Sequence, residues 1–229
     1  MFGTIINATA IVICSIIGLL LKEALPPRLC ETITQGLGLG VVIIGTTMAL
    51  KTENITLMLV SLLLGAIVGE LIDIEKQLKR IGDALESRLK NSSNNVSLGF
   101  VSASLLFCTG SMAIMGALEN GITGTYSILL SKSLLDGIFA MILSSTMGIG
   151  VLLSAIPVFL YQGSIALLAT SIKPFLSTAM ITEMNAVGGI LIMAIGINML
   201  KIKEFKVGNL LPAIIMPILI LWIKGLWGL

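Results

Sequence analysis

Long apolar runs follow one another along almost the whole chain, separated by short polar breaks. A helix needs about 20 predominantly apolar residues to cross the hydrocarbon core of a bilayer. On that rule spans fall at 3–21, 33–50, 55–72, 97–118, 134–154, 156–172, 180–200 and 208–227. The fold class expected is therefore all-α: a polytopic transmembrane helix bundle of about eight spans. Pro26 and Pro27 stop a helix between the first two spans, because proline lacks the backbone donor and clashes with the preceding turn. Lys51, Thr52, Glu53 and Asn54 make a tight turn between the second and third. ENGITGTYS, 119–127, reads as a loop, with Gly121 and Gly124 as breakers. From Leu134 to Ile172 the only charged residue is Asp136. As one helix that stretch would run about 58 Å, nearly twice the bilayer core. The chain must fold back there, and Ser154 with Pro157 marks the expected corner; a broken or re-entrant pair is the other reading.

The extended polar segment is 73–95. Ile74, Leu78, Ile81, Leu85 and Leu89 share one helical face, while Glu75, Lys79, Arg80, Glu86, Arg88 and Lys90 occupy the other. Glu75–Lys79 and Glu86–Lys90 are favourable i,i+4 pairs. This pattern predicts an amphipathic helix over 73–90, lying on the membrane surface, followed by a hinge at Asn91–Asn95.

Composition agrees. The 229 residues are 56% hydrophobic and 11% charged, against about 25% charged in an ordinary soluble domain. The chain has no histidine, which removes imidazole metal ligation and histidine acid–base catalysis. Cys14, Cys30 and Cys108 are far apart and lack metal-ligand spacing. No cofactor is expected. The net charge of +2 carries no nucleic-acid signal, because the basic residues sit in loops between apolar runs. The opening MFGTIINATAIVIC has no basic region before its apolar run, so it reads as the first span and not as a cleaved leader.

Loop lysines and arginines set the orientation. With eight spans, one side holds Lys22, Arg28, Lys76, Lys79, Arg80, Arg88, Lys90, Lys201, Lys203 and Lys206; the other holds Lys51, Lys132, Lys173 and Lys224. That bias puts the surface helix in the cytoplasm and both termini outside. The halves 1–118 and 119–229 of this single integral membrane domain echo each other at a separation of 127–131 residues. Asn7 answers to Asp136, Gln35 to Gln162, and the Pro26 end of span one to Pro157. Four spans per half give a parallel repeat about an axis along the membrane normal, with a site at the repeat interface.

Polar residues at span depth are few, and an ionisable one is by default a functional candidate. Asp136 is placed to bind or neutralise a cation. Asn7, Gln35, Gln162, Glu70 and Asn198 are the other candidates for an ion or solute path, with Glu183 and Asn185 also at span depth. The competing reading is structural: amides in membrane helices bond neighbouring helices, and Asp136 pairs with Lys132 one turn earlier. Ser144, Ser145 and Thr146 either cap a break before Gly148 or bond back to their own helix. Gly36 and Gly40, like Gly65 and Gly69, have the small-xxx-small spacing of close helix packing. No nucleophile–base pair, phosphate loop or metal cluster is present, so no enzyme is expected.

The stretches MFGTIINATAI, TQGLGLGVVIIGTTMALKTEN, SLLFCTGSMAIMGALENG, KSLLDGIFAMILSSTMGIGVLLSA, LYQGSIALLA, MNAVGGILIMAIGINML and VGNLLPAI resemble the YdfK/YqgA-type family of uncharacterised bacterial multipass membrane proteins. The resemblance covers nearly the whole chain. It implies a location in the bacterial cytoplasmic (inner) membrane. It brings no activity and no site residues, so the candidates above rest on residue chemistry alone. The functional expectation is a transporter or channel for a small ion or small polar solute, acting as a homo-oligomer in the lipid bilayer. Its rival is a scaffold or sensor that works through the 73–90 helix.

Overall fold

The computed structural model describes the chain except for residues 25, 78–79, 81–95, 173–176 and 227–229. It is helical, with no strand among the described residues. In chain order the helices are α1 (Phe2–Ala24), α2 (Pro27–Ala49), α3 (Ile55–Ile72), α4 (Val96–Cys108), α5 (Ser111–Thr123), α6 (Ser127–Met147), α7 (Gly150–Leu153), α8 (Ala155–Leu167), α9 (Ala169–Ile172), α10 (Thr178–Met199), α11 (Val207–Leu210) and α12 (Met216–Leu226), with a 3₁₀ turn at Leu211–Ile214. Among the described residues six helices are long and apolar enough to cross a membrane, or seven spans if the pair α4–α5, bent by 59°, counts as one. The eighth apolar segment, Val207–Ile223, is shorter. Residues 74–77 are helical; the remainder of the amphipathic helix expected at 73–90 falls almost wholly outside the described residues.

The chain divides into two compact units, Met1–Gly36 with Leu78–Pro174, and Leu37–Gln77 with Phe175–Leu229. Each takes segments from both of the halves 1–118 and 119–229. In the first unit, α1 buries Thr4, Asn7, Ile11 and Ser15 and exposes Phe2, Ile5, Ile13, Ile16 and Leu20. The buried set recurs at three- and four-residue spacing, so it is one face of the helix. Small and polar residues face inward and large apolar ones outward, as lipid demands: a leucine gains nothing by leaving acyl chains for protein, and helices associate through close packing and hydrogen bonds.

α1 and α6 run side by side in the same direction. Gly3 lies against Leu129 at one end, and Gly18 meets the Met141 carbonyl and the Ser144 hydroxyl at the other. There the Ser144 hydroxyl donates to the Ser15 carbonyl at 3.0 Å. Any side chain at position 18 would occupy the space of the Met141 carbonyl. Ser145 and Thr146 donate to carbonyls of their own preceding turn, so this trio bonds back to its helix and caps no break. Glycine ends α6: Gly148 has φ 82°, which a residue with a Cβ reaches only at a cost.

Three boundaries differ from the sequence expectation. The fold-back lies at Gly148 and not at Pro157, which sits in the first turn of α8, where a missing N–H leaves no helical bond unmade. The loop expected at 119–127 shrinks to 124–126, because α5 continues through Thr123. Finally, α6 begins at Ser127 rather than near Leu134. Asp136 therefore sits about 13 Å into a helix about 31 Å long, near the middle of that helix instead of close to its start.

In the second unit α2 and α10 run antiparallel. Gly45 meets Gly189 and Met193, and Gly38 meets Gly196 and Leu200. α3 is likewise antiparallel to the segment after it, with Gly65 against Ala213 and Gly69 against the Asn209 carbonyl. The Gly65–Gly69 pair is thus a packing seam, whereas a Cβ added at Gly36 or Gly40 meets nothing within 4 Å.

Candidate functional site

Three of the polar residues singled out by sequence meet inside the first unit. Asn7, five residues into α1, donates through Nδ2 to Asp136 Oδ2 at 3.0 Å and to Gln162 Oε1 at 3.3 Å. One amide nitrogen thereby ties α1 to α6 and α8. On α6, one turn before Asp136, Lys132 donates through Nζ to Asp136 Oδ1 at 2.9 Å. Asn7 and Gln162 are fully buried, Asp136 is 4% exposed and Lys132 6%. Taking two charges out of water costs several kcal/mol per ion, and their attraction offsets this only when the remaining valences are also satisfied.

Here they are satisfied in part. Asn7 Oδ1, Gln162 Nε2 and Thr4 Oγ1 are buried without a hydrogen-bond partner in the structure. Thr4 shares the inward face of α1 with Asn7, and its methyl faces Gly163, next to Gln162 on α8. The site thus holds a charged pair, a committed amide bridge, and three uncommitted groups: one acceptor, one donor and one hydroxyl. The broken helix α4–α5 contributes a further feature. Its break follows Cys108, and α4 packs against α6, with Gly99 against Met147; the end of such a helix carries partial negative charge on carbonyls that have no helical partner.

The other candidates lie elsewhere. Gln35 is exposed on α2. Asn198 brackets the following loop, donating to the Phe205 carbonyl at 2.9 Å and accepting from the Phe205 N–H at 2.8 Å. Glu70 belongs to a separate cluster in the second unit. It accepts from Lys206 Nζ at 2.8 Å and from Asn209 Nδ2 at 2.6 Å. Asn209 Oδ1 accepts from the Glu75 N–H at 2.7 Å, and Glu75 in turn accepts from the Gly208 N–H at 2.7 Å. This knot, exposed at Glu70 and Lys206 and buried at Asn209, fastens the end of α3 to the start of α11, and its Glu70 carboxylate holds the Lys206 ammonium above the ordinary lysine range. Glu183, 3% exposed, accepts from the Thr52 hydroxyl and from the N–H groups of Glu53 and Asn54. It clamps the α2–α3 turn while Asn54 caps α3 through the Leu57 N–H.

Sequence reasoning counted Lys132 only as a neutralising neighbour and passed over Thr4. The i,i+3 spacing of Thr4 and Asn7 was the available signal.

Polar groups gathered among helices that turn their large apolar side chains outward define an α-helical membrane protein of several spans. Over residues 2–222 the chain matches the model of the family described as "Protein of unknown function (DUF554)", and it belongs to that family. It is 35% identical to "Uncharacterized membrane protein YdfK" of Bacillus subtilis (strain 168), over 100% of this chain and 99% of that one. It is likewise 35% identical to "Uncharacterized protein YqgA" of Escherichia coli (strain K12), over 96% of this chain and 97% of that one. No solved structure matches it.

Proposed function

We propose that the protein is a non-enzymatic transporter or channel for a small ion or small polar solute, working as a homo-oligomer in the bacterial cytoplasmic membrane with both termini outside. One observation carries this reading: the hydrogen-bonded set Asn7, Lys132, Asp136 and Gln162, buried with Asp136 near the middle of a membrane-length helix and beside polar atoms that have no partner among the described residues. A charged pair is expensive at that depth, and a purely structural tie between helices needs no charge at all. Hydrogen bonds at one constant separation support the parallel repeat: Asn7 with Asp136, Ser144 with Ser15, and Asn54 with Glu183, each pair 129 residues apart. Parallel repeats place the substrate site at their interface. The open glycine face at Gly36 and Gly40 supports self-association by close helix packing.

Reconstitution into liposomes tests the reading. Protein-dependent flux of a monovalent ion or of a small uncharged solute is expected, and Asp136→Asn should abolish it while the protein remains in the membrane fraction. Full flux in that variant would remove Asp136 from the path.

A further inference from the structure

We propose that the species carried is a monovalent cation and that Lys132 is its built-in competitor, the ammonium group standing at Asp136 where the cation binds. The inference deepens the transport reading and rests on it. Its ground is the unequal way in which the two oxygens of Asp136 are held. Oδ2 is fixed by Asn7, whose amide is itself backed by Gln162. Among the described residues Oδ1 is held by Lys132 alone, a charge at the end of four methylenes. Only that partner can swing away without dismantling the tie between helices.

The face of α1 that bonds the carboxylate also carries oxygens a small cation could use. Asn7 Oδ1 and Thr4 Oγ1 are buried oxygens with no partner among the described residues, and they lie one turn apart on the inward face of α1 from which Asn7 reaches Asp136. A bare cation collects several oxygens at once, which a tethered ammonium fixed to one carboxylate oxygen does not. Gln162 Nε2 is a donor and stands outside such a shell, because Gln162 already spends its carbonyl on Asn7.

Charge selects the class. With Lys132 at Asp136 the site is neutral; with Lys132 displaced it carries one negative charge. A monovalent cation restores neutrality in a low-dielectric interior. A divalent ion would leave one charge uncompensated and an anion would face the carboxylate. An uncharged solute requires neither member of the ion pair. Cation and Lys132 therefore occupy Asp136 in alternation.

The test compares the wild-type protein with Lys132→Met and with Lys132→Met/Asp136→Asn. Thermal unfolding in detergent is followed against Na⁺, K⁺ and NH₄⁺, with choline holding ionic strength constant. Flux of the same cations, and of urea and glycerol, is measured in liposomes. Removing the competitor should tighten the apparent affinity for at least one cation by tenfold or more, and the double variant should lose the effect. Lys132→Met that responds no better to cations than to choline, or no more tightly than wild type, overturns the inference. Should Lys132→Met not fold in any medium, Lys132→Arg decides: its two-pronged grip on the carboxylate should weaken cation affinity at least tenfold, and unchanged affinity overturns the competitor role. Flux of urea or glycerol without cation flux leaves the transport reading standing and removes the cation. No flux and no cation-dependent stabilisation removes both.

Discussion

Asn7 and Asp136 lie 129 residues apart in the chain and share a buried hydrogen bond of 3.0 Å. The same Asn7 nitrogen reaches Gln162, so one side chain holds three helices in register. Asn7→Leu strips the donor from a carboxylate oxygen and an amide oxygen that stay buried. Leaving such groups unsatisfied costs about 1–3 kcal/mol each. Unfolding in detergent should show a loss of that order. A double-mutant cycle with Gln162→Leu should give a coupling of about 0.5–3 kcal/mol, as residues in one network do. Strict additivity would mean that the Asn7–Gln162 contact contributes nothing.

The Lys132–Asp136 pair makes a sharper prediction. Removing one member strands the other charge, at a cost of about 3–5 kcal/mol, whereas replacing both with apolar groups of similar shape is often neutral. In choline medium, Lys132→Met and Asp136→Leu should each be strongly destabilised, and the double variant should recover most of the loss. If the double variant is as unstable as the worse single one, the pair is held by packing and not by charge.

How much of this was legible along the chain follows from which forces act locally. The apolar helices announced themselves, six of them among the described residues long enough to cross a membrane, because a stretch of apolar residues needs no knowledge of its neighbours. The depth of Asp136 did not. The apolar pattern sets the span to begin at 134, leaving Lys132 outside it, yet Lys132 neutralises Asp136 within α6 and the helix begins seven residues earlier. Pro157 looked like a corner, but a proline in a first turn breaks nothing, and Gly148 supplies the positive φ that ends α6. Asn7, Asp136 and Gln162 were named from polarity at span depth, and they meet. Glu70 and Asn198 have the same polarity, yet they fasten loops, through partners 136 and 139 residues distant for Glu70 and seven for Asn198. Polarity selects the residues that must find partners; tertiary contact alone decides which partners these are.

Two helix glycines, Gly18 and Gly40, should respond in opposite ways. Gly18→Ala drives a methyl into the Met141 carbonyl, and overpacking of that kind typically costs about 1–3 kcal/mol. Gly40→Ala meets nothing within 4 Å, and alanine within a helix is better than glycine by about 0.5–1 kcal/mol. In monomeric detergent preparations the melting temperature should fall for the first and hold or rise for the second. Equal losses at both positions would show that Gly40 is packed against protein and is not an open face.

Glu183 is expected to be a structural acid. It satisfies a hydroxyl and two backbone N–H groups at the α2–α3 turn. Hydrogen bonds to a charged acceptor are worth about 1.5–3 kcal/mol. Glu183→Gln should therefore lower stability by that order and leave any cation response at Asp136 in place. A variant with native stability but lost flux would reassign Glu183 to the transport path.

The count of spans turns on one segment. α11, the 3₁₀ turn and α12 form an apolar stretch, Val207–Ile223, that falls short of the other spans, and Pro212 and Pro217 deny it a regular ladder of hydrogen bonds. Eight crossings with an external N-terminus put Ser87, after three crossings, in the cytoplasm and the C-terminus outside. Seven crossings put both on the cytoplasmic side. Single cysteines at position 87 and after Leu229, in a protein with its native cysteines replaced, report the side directly through a membrane-impermeant thiol reagent. Labelling of intact cells at the C-terminal cysteine alone is the outcome that eight spans require. Protection of both until the membrane is opened would show that the last apolar segment enters the membrane without crossing it. Four crossings per half would then no longer hold, and with them would go the parallel repeat inferred from contacts at a separation of 129 residues.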